Sequence, residues 1–101
     1  MKVKIWLDDV RPRPFGYIRA YSVNQTKDII ESLERQGIES FELDLDHDLG
    51  DYAKDGGDGY KLVEWLIETD RNTNHYAIQC HSMNPIGREH ILGLRNRYWK
   101  S

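Results

Sequence analysis

The sequence predicts an α/β fold, with a mainly parallel four-stranded sheet flanked by helices in a three-layer sandwich. Three observations lead there. Short apolar runs alternate with amphipathic stretches in the order β-β-α-β-α-β-α, and alternation of this kind implies a parallel sheet covered by helices. Several apolar runs stop abruptly at aspartate or histidine, and ligands of open parallel sheets bind beyond the carboxyl ends of the strands. The chain has 101 residues, 39% of them hydrophobic, enough for one core and one domain spanning residues 1–101 without disulfides or a structural metal.

The first strand is Val3 to Leu7, apolar and closed by Asp8 and Asp9. Residues 9–16 hold two prolines in three positions and form a loop. Tyr17 to Tyr21 is a second short strand. The connection is too short for a helical crossover, so this strand is either an antiparallel edge or is reached by an irregular loop running back along the sheet. Residues 23–36 form a helix with Val23, Thr26, Ile29, Ile30 and Leu33 on one face. Ser22 or Asn24 caps it and Gly37 stops it.

Residues 39–46 form the third strand, with Phe41, Leu43 and Leu45 on one side and Glu42, Asp44 and Asp46 on the other. A loop rich in Asp and Gly leads to a helix at about 59–69, with Tyr60, Val63, Leu66 and Ile67 turned inward. Tyr76 to Cys80 is the fourth strand. Pro85 opens the last helix at a position that needs no N–H, and Ile91, Leu94 and Tyr98 form its apolar stripe. Trp99 and Tyr98 are core residues or a dimer contact, and the oligomeric state stays open.

Net charge is −3, so no global basic field attracts long duplex nucleic acid. Residues 44–58 hold six of the ten aspartates, while Arg11, Arg13 and Arg19 group near the start. Such a distribution suits a small anionic ligand of nucleotide type or an RNA end. No apolar run approaches the ~20 residues of a membrane span, and no leader is expected. The lone Cys80 cannot form an internal disulfide, which fits a reducing cytoplasm.

Three loops carry the chemistry: Asp8-Asp9 with Arg11, Asp46-His47-Asp48, and His81 through Arg88. If their strands are neighbours at ~4.8 Å spacing, the loops converge. His47 and His81 transfer protons near neutral pH, and with Asp46 they are the catalytic candidates. Arg11, Ser82, Asn84 and Arg88 are expected to hold phosphate, the first and last by bidentate contacts and the others at a helix N-terminus. Asp8, Asp9 and Asp48 are candidate ligands for Mg2+, which a two-histidine reaction does not require. Asp44, still inside the strand, has the weakest claim.

An EF-hand is disfavoured because Leu49 stands where glycine is required. A Cys80 nucleophile is disfavoured because neighbours on a strand point to opposite faces. His75 and His90 read as surface residues.

Together, Leu7-Asp8-Asp9-x-Arg11-x-x-Pro14, Leu45-Asp46-His47-Asp48-Leu49-Gly50, Asp58-Gly59-x-x-x-Val63-x-Trp65-Leu66 and His81-Ser82-x-Asn84-Pro85-x-Gly87-Arg88 resemble the cyclic-phosphate processing receiver-like domains of bacteria and phages. The resemblance implies a receiver-like α/β fold and a role in nucleotide or RNA-end repair. By position, Asp8, Asp9, Asp46 and Ser82 are similar to the paired acids, aspartate and hydroxyl of response-regulator receivers. The chain departs from receivers in lacking a helix between its first two strands and a fifth strand with its usual lysine, and in carrying His47 and His81.

The expected function is a phosphoesterase that opens a cyclic phosphate on a nucleotide, an RNA end or an ADP-ribose derivative. The rival expectation is a non-enzymatic, receiver-derived module that binds a cyclic nucleotide or a protein partner.

Overall fold

The computed structural model describes residues 1–101. The fold is the predicted receiver-like α/β architecture, a four-stranded parallel sheet with three helices. The strands are β1 (Lys2–Leu7), β2 (Tyr17–Ala20), β3 (Ser40–Leu45) and β4 (Tyr76–Cys80). The helices are α1 (Val23–Arg35), α2 (Tyr60–Glu68) and α3 (Pro85–Tyr98). The strand order is β2-β1-β3-β4, and every pair is parallel. No helix is long and apolar enough to cross a membrane.

The second strand resolves in favour of the irregular loop. Residues 8–16 run back along the sheet, so that Tyr17 pairs with Lys4 and Ala20 with Leu7. Arg19 fixes that return by donating from Nη1 to the Asp8 carbonyl at 2.8 Å and from Nη2 to the Arg11 carbonyl. A parallel strand is thus reached without a helix because a guanidinium ties the loop down.

Ser22 is the N-cap of α1, its Oγ accepting from Gln25 N at 3.0 Å. Beyond the last turn, Gly37 takes φ +93°. There Gly37 N and Ile38 N close back on the Glu34 and Leu33 carbonyls. A short 3-10 helix at Gly50–Lys54 interrupts the stretch read as plain loop. In α2 the buried positions are Leu62, Val63 and Leu66, with Tyr60 and Ile67 only half-buried. Leu62 therefore joins the inward face.

One apolar cluster forms the core. Its sheet residues include Ile5, Leu7, Phe41, Leu43, Leu45, Ile78 and Cys80. These alternate with Lys4, Trp6, Glu42, Asp44 and Gln79, and the in-register pairing keeps each set on one face. Val23, Ile30, Leu62, Val63, Leu66 and Ile91 join the cluster from the helices. Full burial of such a side chain contributes about 1.5–3 kcal/mol relative to exposure.

Tyr98 corrects the predicted stripe of α3: it is 41% exposed, because the chain turns there. Its carbonyl accepts from Asn72 Nδ2 at 2.6 Å, and Trp99 docks instead, donating from Nε1 to the Tyr76 carbonyl at 2.8 Å.

Candidate functional site

The register of the sheet brings the three predicted loops together. Leu7 pairs with Leu45, and Leu45 with Cys80, so Asp8, Asp46 and His81 continue one row past the strand ends. Two backbone bonds extend it, Asp46 N to Leu7 O at 2.8 Å and His81 N to Leu45 O at 3.1 Å.

His81 is held from both sides. Its Nδ1 lies 2.8 Å from Asp44 Oδ1 and its Nε2 lies 2.8 Å from Asp8 Oδ2. Its ring stacks on the indole of Trp6, with centroids 3.6 Å apart and planes 5° from parallel. Burial alone would lower the pKa of the imidazole, but hydrogen bonds and charge from Asp44 and Asp8 outweigh it and raise the pKa. Each ring nitrogen thus faces a carboxylate oxygen, an arrangement that favours the protonated ring. A cation lying on an aromatic face gains further from the ring quadrupole.

The two acids in the row are pushed apart. Burial would raise Asp8, which is 1% exposed, but the Val10 and Arg11 N–H groups and His81 hold it below the usual carboxylate range. Their N–H groups reach Asp8 Oδ1 at 2.8 and 2.9 Å. Asp46 moves the other way, raised first by burial and then by the nearby Asp8 charge. Asp46 Oδ1 accepts from His47 N at 2.8 Å, and the Ser82 hydroxyl partly offsets the rise.

A second cluster forms around His47. Its Nδ1 lies 2.9 Å from Asp48 Oδ1, while Nε2 makes no hydrogen bond within the protein. Asp48 Oδ2 accepts from Asn84 Nδ2 at 3.0 Å, and Asn84 Oδ1 caps α3 by accepting from Ile86 N and Gly87 N. His47 and then Asn84 hold Asp48 below its ordinary pKa. Tyr60 stacks on His47 with centroids 5.6 Å apart, and His90 stacks on Tyr60 at 4.5 Å. Gly87 is the opposite wall: a Cβ there would lie 2.4 Å from His47 Cγ. The first residue of α2's approach is equally tight, since a Cβ on Gly59 would lie 2.0 Å from the Asp46 carbonyl oxygen.

The arginines face the fourth strand end. Arg11 Nη1 donates to the His81 carbonyl at 3.0 Å, and Arg88 Nη1 donates to the Cys80 carbonyl. Ser82 is buried, and its Oγ accepts from Asn84 N at 3.1 Å. The three acids read as metal ligands do not form one set. Asp8 groups with Asp46 and His81, and Asp48 groups with His47 and Asp58. Asp9 is in neither group, and its carboxylate lies against Gly50, where a Cβ would sit 2.6 Å from Oδ2.

Two residues escaped the sequence reading, Trp6 as the stacking floor and Asp44 as the partner of His81 Nδ1. A signal for both was present. Trp6 and Asp44 are register partners and stand two residues before Asp8 and Asp46, so each shares a sheet face with a predicted site residue.

A family model described as the cyclic-phosphate processing receiver domain matches residues 3–97. No curated protein matches the chain, and no solved structure does.

Proposed function

The chain belongs to the family of cyclic-phosphate processing receiver domains, and from that premise we propose that it is a phosphoesterase that opens a cyclic phosphate by a two-histidine mechanism. One observation supports this reading above the others. The two histidines at one sheet edge have different bonding: both ring nitrogens of His81 lie 2.8 Å from a carboxylate, of Asp44 and of Asp8, while His47 is oriented through Nδ1 alone and keeps Nε2 free.

His47 is then the base. Asp48 holds its Nδ1–H and so fixes the tautomer with a lone pair on Nε2, as an orienting acid does in other His–acid pairs. Nε2 takes a proton from water as the water oxygen bonds to phosphorus. The ring P–O bond breaks, and His81 gives the departing oxygen the Nδ1 proton that it shares with the partly exposed Asp44, keeping its Nε2 bond to the buried Asp8. Exchange with solvent restores both rings. Asp46 holds the His47 backbone in place, and Asp8 and Asp44 orient the acid. Acid–base steps of this kind contribute about 10²–10⁴-fold each.

Arg11 and Arg88 each spend one guanidinium nitrogen on a backbone carbonyl and retain N–H donors for phosphate oxygens. Ser82 and Asn84 shape the turn that leads into α3 and place its N-terminal dipole toward the anion.

No metal step enters this reading. Were Mg2+ bound, the carboxylate oxygens of Asp8 and Asp46 would hold it, and it would supply positive charge to the phosphate.

The test is incubation with a panel of nucleoside and sugar cyclic phosphates, with and without chelator, followed by phosphorus NMR. Ring opening by the parent protein, lost in both His47→Ala and His81→Ala, is the expected result. Activity that survives both substitutions overturns the mechanism. Tight binding without turnover moves the assignment to a binding module.

A further inference from the structure

We propose that the cavity beside the site is a nucleobase pocket, so that the substrate is a nucleoside cyclic phosphate rather than a base-free sugar cyclic phosphate. The inference rests on the reading above and deepens it.

The cavity measures about 720 Å³ and is lined by Tyr21, Asn24, Gln25, Asp28, Tyr52 and Asp55, with Ser22 below. A volume of this size suits a small organic ligand. Its aromatic wall is a pair of tyrosines that do not enter the core. Tyr21 and Tyr52 stack on one another with centroids 5.4 Å apart and planes at 28°. They stay 39% and 46% exposed. Two exposed rings in mutual contact leave an outer aromatic face that water covers poorly and that a flat heterocycle covers well. Stacking of a base on such a face contributes about 1–3 kcal/mol.

The polar wall carries complementary groups. Each Asp55 oxygen accepts within the protein, Oδ2 from Ser22 Oγ at 2.7 Å and Oδ1 from Asn24 Nδ2 at 3.1 Å. Gln25 Oε1 accepts from Tyr21 N at 2.7 Å, which aims the amide and leaves its NH2 unspent. Asp28 is exposed and makes no hydrogen bond or ion pair within the protein. Gln25 and Asp28 stand three apart on α1, on one helix face. A free donor and a free carboxylate side by side match the edge of a base, which presents an acceptor next to an N–H.

The pocket is joined to the phosphate site by two single links. Arg19 lies over Tyr21 at 5.1 Å from the ring centroid and donates to the Asp8 carbonyl. Tyr52 is two residues from Gly50, whose Cα faces the Asp9 carboxylate. A phosphate near His81 and a base on the tyrosines would lie on either side of the first loop, with a ribose between.

The test separates the base from the phosphate. The protein is titrated with guanosine, with guanosine cyclic phosphate and with ribose cyclic phosphate, while tyrosine ring resonances are followed by NMR. Tyr52→Ala and Asp28→Asn are measured beside the parent. Guanosine is expected to shift the Tyr21 and Tyr52 resonances, and Tyr52→Ala to weaken both guanosine ligands about tenfold while leaving ribose cyclic phosphate unchanged. Asp28→Asn should weaken guanosine binding without disturbing the tyrosine stack. Guanosine that leaves the tyrosine signals unmoved, or a Tyr52→Ala loss equal for all phosphate ligands, overturns the pocket. Because guanosine carries no phosphate, its binding is read whether or not ring opening occurs.

Discussion

The imidazole of His81 lies flat on the indole of Trp6, 3.6 Å between centroids and 5° from parallel, while its two nitrogens reach Asp44 and Asp8. An aromatic floor and two carboxylate sides leave one ring orientation and favour the protonated ring. Under the proposed mechanism this ring is the proton source, and the following consequences can be measured.

Asp44→Asn keeps the shape of the side chain but removes one of the charges that raise the pKa of His81. The His81 Hε1 titration followed by NMR should move to lower pH. A hydrogen bond to a charged group is worth about 1.5–3 kcal/mol, so urea unfolding at mildly acidic pH should show a loss of that order. Turnover should fall by about tenfold or more. An unshifted His81 titration would show that Asp44 is a bystander.

The same network sets a pH window for stability. His81 has a raised pKa in the folded chain, so its contribution is complete below the unfolded value of about 6.5 and is lost as pH rises through the folded value. Asp8 has a lowered pKa, so its contribution is present above about 3.9 and is lost as pH falls through its folded value. The parent protein should therefore lose stability relative to His81→Gln as pH rises from about 6 to 9. Parallel stability curves over that range would contradict a raised pKa for His81.

Asp46 is the member of the row whose charge costs stability, being raised by burial and by Asp8. Asp46→Asn retains an oxygen for the His47 N–H and removes the charge. It should stabilise the free protein by at most about 1 kcal/mol once solvent screening is counted, roughly 4 °C or less in melting temperature. The gain should fade at acidic pH, where the parent carboxyl is protonated, and turnover should drop. Destabilisation by Asn at neutral pH would indicate a partner that needs the charge.

Gly87→Ala tests His47 without touching it. The added Cβ would lie 2.4 Å from His47 Cγ, a distance that forces the ring to move. Alanine within a helix is otherwise favoured over glycine by about 0.5–1 kcal/mol. Turnover should fall as far as in His47→Ala, with a stability change of about 1 kcal/mol or less from that partial offset. Full activity in this variant would show that the position of His47 is not critical.

Much of the arrangement is legible in the sequence because it follows from the sheet alone. Phe41, Leu43 and Leu45 alternate with acids, and Tyr76–Cys80 is bounded by polar residues, so strands and their ends are plain. Three strand ends in a row then bring Asp8, Asp46 and His81 together. The partnerships are harder. Asp44 and Trp6 sit inside strands, where a side chain is usually assigned to core or solvent, and only the register shows that they meet His81. Arg19 tied down a parallel strand without a helix, which no local pattern announces. Nothing local in the sequence marks Tyr21 and Tyr52 as exposed, since that depends on how the 3-10 turn packs beside α1.

The bond from His81 to Asp8 joins residues 73 positions apart in a chain of 101. Contacts of such high sequence separation carry the largest loop-closure entropy and form late, after the local helices and neighbouring strands. The bond between His81 and Asp8 is therefore made only when the fourth strand has docked. A chain cut short before His81 holds His47 and every aspartate of the site but lacks the proposed acid. Under the proposed mechanism, the last step of folding is also the step that completes the site.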